Sequence, residues 1–237
     1  MALPPDDDAL LRLAGLDDPP APAEGLFRRG CWLRRVSAEP VLLFGGGRAL
    51  LLEIAHPLVA AGVAEHSSYR SDPFGRLQRT LEAMSAIVFR DRAAALAAAR
   101  GVERAHAHVQ GALAASAGRF AAGTPYSGRD PELMLWVWAT LVDTALVVYE
   151  RFVEPLDAAA RRAYYADHRG VARVLGIPDA RVPASWDAFR AWFEAMLASD
   201  SLAVTPAARA IAEGILGPAA AIADARRLRL ITSGLLP

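Results

Sequence analysis

Along almost the whole chain apolar residues return every three or four positions, the spacing at which a helix gathers one face. Leu77, Leu81, Met84 and Val88 form one such stripe. Val102, His106, Val109 and Leu113 form another, and it carries a histidine in an apolar position. No run of β-branched residues alternates with polar ones in the way a half-buried strand requires. The pattern predicts helices near 25–37, 40–64 with a break at His56-Pro57, 73–88, 91–117, 130–154, 157–175, 184–198, 205–215 and 218–232. Asp72-Pro73, Asp91, Asp130-Pro131 and Thr205-Pro206 supply side-chain oxygens ahead of first turns, three of them followed by a proline suited to that turn. The fold class expected is all-α, a single-domain helical bundle over 25–237. Ahead of it the proline-rich, acidic residues 1–24 read as a flexible lead-in.

Polar residues sort themselves against these stripes. His106 points with the apolar face of its helix, whereas His108 lies about 200° around the axis from it and faces outward. Arg76 and Thr80 are four residues apart on the edge of the stripe before, with Arg79 on the same side. An arginine at the margin of a buried face needs an anion, because its desolvation is otherwise costly. The plainer readings are a hydrogen-bonded core histidine and an arginine paired with Glu65 or Asp72.

Composition narrows the chemistry. The 26 arginines balance 26 acidic residues and there is no lysine, so the chain carries no basic footprint for nucleic acid and no lysine for a Schiff base. A single cysteine, Cys31, excludes an internal disulfide and any cysteine-built metal cluster. The acidic, proline-broken start is unlike a secretory signal, and the expected localisation is cytoplasmic. The most apolar stretch, 41–64, is interrupted by Arg48, Glu53, His56 and Pro57, so no membrane span is expected there.

The densest chemistry lies in HPLVAAGVAEHSSYRSDPFGRLQRT, residues 56–80, together with the inward His106. Two readings fit the spacing. Arginines facing one buried imidazole suit a haem between helices, its iron on the histidine. Alternatively, Glu53-x-x-His56 and Glu103-x-x-His106 repeat the Glu-x-x-His element of di-iron carboxylate bundles, with Glu82 and Glu150 as further ligands, although Pro57 disturbs the first element. Spacing alone leaves these nearly even.

The segments RALLLEIAHPLVAAGVAEHSSY, DPFGRLQRT, VERAHAHVQG, GTPYSGRDPELMLWVWATLVDTALVVYERF, YYADHRGVARVLGIP and VPASWDAF occur in this order. Over about 43–196 the chain resembles the DUF2236 domain shared by the latex-clearing rubber oxygenases and the mpaB-type oxygenase of mycophenolic acid biosynthesis. The resemblance implies a globin-like helical core, one haem b and O2-dependent cleavage of an isoprenoid double bond. It implies that His106 is the proximal iron ligand and that Arg76 with Thr80 is the family's RxxxT motif beside the haem. His56 is a further candidate for contact with the cofactor, and Glu65 or His66 for the base. Arg79 stands where the latex-clearing enzymes have lysine; arginine keeps the charge and is a poor iron ligand. Trp138 stands where many relatives have histidine and reads as a core aromatic. The partners expected are haem, O2 and a small apolar unsaturated substrate rather than rubber itself, with the oligomeric state open. A haem-binding sensor or carrier without turnover is the competing class.

Overall fold

The computed structural model describes all residues except 1–2, 5, 14–19, 68–71 and 217–231. Its helices are α1 (Asp7–Leu13), α2 (Trp32–Ser37), α3 (Gly46–Ala55), α4 (Pro57–His66), α5 (Pro73–Phe89), α6 (Arg92–Ala107), α7 (Pro131–Phe152), α8 (Ala158–Val174), α9 (Trp186–Leu197) and α10 (Pro206–Leu216). A hairpin of β1 (Gln110–Ala112) and β2 (Pro125–Ser127) interrupts them, and the class is all-α. The expected caps operate: Asp72 accepts from the Gly75 amide, Asp91 from Ala94, Asp130 from Glu132 and Thr205 from Ala208. Each satisfies a donor that the first turn would leave without a partner.

The apolar helix α7 organises the core. Trp136, Trp138, Val142, Leu146 and Tyr149 are buried along it; α2 and α3 pack against it, and α8 and α9 meet it with aromatic side chains. Trp136 stacks on Phe193 at 5.5 Å, Trp138 meets Phe189 edge-on at 5.9 Å, and Phe189 lies 5.0 Å from Tyr165. Such pairs contribute ~0.5–1.5 kcal/mol each beyond the burial of their area. Trp138 is thus the core aromatic its sequence setting implied. By length and composition α7 is apolar enough to cross a membrane, and most of it is buried inside the fold.

Three expectations are corrected. The lead-in contains α1, and its Leu10 and Leu11 enter the main core, so these residues are held by burial. The helix expected to run to 117 ends at Ala107, because the Gln110–Ala112 segment pairs in antiparallel register with Pro125–Ser127. Val109 and Leu113 therefore leave the α6 stripe, yet still pack in a second apolar cluster with Leu58, Tyr126 and Leu133. Finally, Leu81 is 42% exposed, since the middle of α5 lacks the cover that Ile87 and Val88 receive. Most of the helix expected over 218–232 lies outside the described residues.

Two features of the backbone position the candidate polar groups. Between α3 and α4 the helix axis turns by 109°, with His56 extended at the corner and Pro57 opening the new first turn. Between α5 and α6 only Arg90 and Asp91 intervene, which makes an antiparallel pair. At 1.5 Å per residue His106 stands ~21 Å from that turn, level with Gly75 and Arg76 on the neighbouring helix.

Candidate functional site

His106 occupies the last turn of α6, half-buried, and its buried Nδ1 has no hydrogen-bond partner. Burial pushes the imidazole pKa below its ordinary value, while Glu103 pulls weakly the other way. A neutral ring with an unused nitrogen is the form a metal ligand requires. The backbone beside it is tightly packed: a Cβ on Gly128 would come within 2.6 Å of the His106 carbonyl oxygen. That closeness lets the exit of the hairpin lie against the end of α6. His108, at the helix cap, is exposed.

His56 is the second buried imidazole on this side of the molecule. Its ring lies 5.0 Å from that of Phe120, and its Nδ1 also lacks a partner. Burial lowers its pKa to about 4, with the nearby Arg119 charge adding to the shift and Asp130 opposing it. Asp130 is two residues beyond Gly128, so the turn that touches His106 is also within electrostatic reach of His56.

Glu65 and His66, at the end of α4, face the hairpin. The Tyr126 hydroxyl donates to the Glu65 carboxylate. His66 Nε2 lies 3.0 Å from the Gln110 carbonyl and 3.5 Å from the Tyr126 hydroxyl. Burial raises the Tyr126 phenol pKa far above its ordinary range, and the bond to Glu65 raises it further.

The α5 candidates are arranged differently. Arg79 is exposed and forms an ion pair of 3.0 Å with Asp72, the residue capping its own helix. The anion required beside Arg79 is present within the chain. Thr80 is exposed on the same helix. Arg76 stands on α5 at the level of His106, and its side chain lies outside the described set.

The di-iron ligand set does not assemble. Among the described residues no three His, Cys, Asp or Glu side chains gather as a metal site. Glu103 is paired with Arg129, Glu150 with Arg161 at 2.6 Å, and Glu82 accepts from Gln78. A cofactor anchored through a single imidazole fits the residues present; a carboxylate-bridged pair of metals does not.

Sequence reasoning misses several polar groups. Tyr126 is one, and its only signal is an aromatic between a proline and a serine. Arg48, in sequence an interruption of an apolar run, is 2% exposed and donates to the Leu235 carbonyl, the Thr144 hydroxyl and Asp143, each at 2.7 Å. Arg190 takes the other Asp143 oxygen. A lone aspartate in the apolar run of α7 is the available sign that a buried cation must face it. His168 is likewise buried, its Nδ1 accepting from the Trp138 indole at 3.0 Å.

Residues 33–237 match the family described as "ER-bound oxygenase mpaB/B'/Rubber oxygenase, catalytic domain". No curated protein and no solved structure matches the chain significantly.

Proposed function

Because the chain belongs to the mpaB and rubber oxygenase catalytic-domain family, we propose that it is a haem b-dependent oxygenase acting with O2 on a small, apolar, isoprenoid-like alkene. One observation carries the cofactor assignment: a half-buried His106, its imidazole pKa lowered by burial, whose buried Nδ1 has no partner, level with the RxxxT segment of α5. Haem, when bound there, supplies one-electron and O2 chemistry that no side chain offers. The chain's own part is fourfold. His106 would hold the haem iron through its imidazole. Arg76 and Thr80 of the RxxxT segment, with Arg79 on the same helix, would supply positive charge and hydrogen bonding where negative charge develops. Glu65 or His66 takes a proton from the substrate. Leu58, Ala61 and Leu133, buried behind them, keep water from an alkene.

The test begins with colour. His106→Ala is expected to lose stoichiometric haem, read as the Soret band, while His108→Ala keeps it; equal retention in both would remove His106 from the role. Reduced protein is then given squalene, geranylgeraniol or oleic acid, with O2 uptake and products followed by mass spectrometry. Cleavage places one oxygen atom on each former alkene carbon as a carbonyl. Arg76→Ala is expected to slow product formation about 100-fold, the usual loss for one charge-stabilising donor. A long-lived, reversible O2 complex without product would favour a sensor or carrier.

A further inference from the structure

Tyr126 has no part in the proposed function, yet the fold makes specific room for it. Its ring lies against α4 beside Gly62, at an ordinary contact distance of 3.6 Å from where a Cβ would stand. Its hydroxyl passes over Gly111, its register partner on β1, where a Cβ would come within 2.5 Å of that oxygen and 3.0 Å of Glu65 Oε2. The glycine at 111 thus leaves space for one phenol to reach one carboxylate. The residue is buried, whereas the Glu65 side chain it holds is half exposed. A half-exposed glutamate ordinarily samples several rotamers; a donor fixed in a sheet removes that freedom. His66 is tied to the same hairpin through the Gln110 carbonyl.

The geometry points to Tyr126 as a positioning residue: it fixes the Glu65 carboxylate, with His66 alongside, at the edge of the site. The inference rests on the proposed function only in giving Glu65 a proton to take. Tyr126 touches no reacting atom; it acts through the carboxylate it orients.

The first arm of the test needs no substrate. Purified full-length protein is labelled with carbodiimide and glycine ethyl ester, and Glu65 modification is measured by mass spectrometry against the exposed Glu213 on α10. Tyr126→Phe is expected to raise Glu65 labelling several-fold with Glu213 unchanged. Gly111→Ala, which crowds the hydroxyl, is expected to do the same if Tyr126→Phe should prove unstable. Unchanged Glu65 labelling in folded variants overturns the inference. The second arm uses whichever of the three alkenes is turned over. Tyr126→Phe is expected to lower kcat roughly tenfold with KM nearly constant, the loss of one hydrogen bond to a charged group. In a Glu65→Gln background it is expected to add no further loss. Additive losses would mean that Tyr126 acts by some other route and would also overturn the inference. If labelling responds but Glu65→Gln retains full turnover, the base assignment fails while the Tyr126 contact stands. If labelling does not respond and Glu65→Gln is inactive, the inference fails and the base assignment stands.

Discussion

The two sides of this molecule treat buried imidazoles in opposite ways. In the aromatic core His168 is complete: the Trp138 indole donates to its Nδ1, and Tyr164 and Trp138 pack against the ring. Beside the hairpin, His56 is buried and His106 half-buried, each with its buried Nδ1 left unpartnered. The charged groups divide likewise. Asp143 uses both oxygens on Arg48 and Arg190 inside the core, whereas Glu65 near the hairpin accepts from one phenol and is half open to solvent. The buried ion pairs of the core are saturated, because an unmet buried donor or acceptor costs about 1–3 kcal/mol, although the Tyr164 hydroxyl there also goes unmet. Two unmet imidazoles near one hairpin make that side the candidate place for something else to bind.

The largest effect expected is in the saturated region. Asp143→Ala leaves Arg48 buried without its anion and is expected to cost ~3–5 kcal/mol in urea unfolding, whereas Glu65→Gln is expected to cost under ~1 kcal/mol. Equal costs would erase the distinction between the regions.

Acid should then reach both regions alike. His56 and His168 are held by burial near a pKa of about 4, below the ordinary 6.5. Between these values the unfolded chain binds more protons than the folded one. Stability is therefore full above pH 6.5 and is lost as pH falls towards 4, by up to about 3 kcal/mol per histidine. Urea midpoints measured across that window check the sign; a flat profile would mean that these rings titrate in the fold as they do in the unfolded chain.

The finest discrimination is His168→Leu against His56→Leu. The first orphans the Trp138 indole and is expected to cost ~1–3 kcal/mol; the second removes an unpartnered nitrogen and is expected to change stability by less than ~1 kcal/mol. If His56→Leu is the costlier change, its ring is better satisfied than its geometry implies.

Much of this arrangement is legible along the chain. Cap residues at Asp72, Asp91 and Asp130 act within three residues, and the period that turns His106 inward and His108 outward is local. The hairpin is not legible, because strands of three residues carry no usable alternation and Val109 and Leu113 happen to continue the helical spacing. Nor can Tyr126 be matched to Glu65 or Arg48 to Asp143, since periodicity fixes the face of a residue and says nothing about its partner on a distant element. Arg79 teaches the converse: the anion it needs is its own helix cap, the plainest of the alternatives.

The bond from Arg48 to the Leu235 carbonyl also sets an order of events during synthesis. It joins residues 187 positions apart. At ~5–20 residues per second a ribosome needs on the order of 10–40 s to bring the second after the first. Asp143 and Thr144 follow Arg48 by 95 and 96 residues, so for the later part of that interval the guanidinium already has two of its three acceptors and lacks only the last. The bond to the Leu235 carbonyl is thus the last of the three that synthesis allows, and it ties the end of the chain to a cation that α7 has already met.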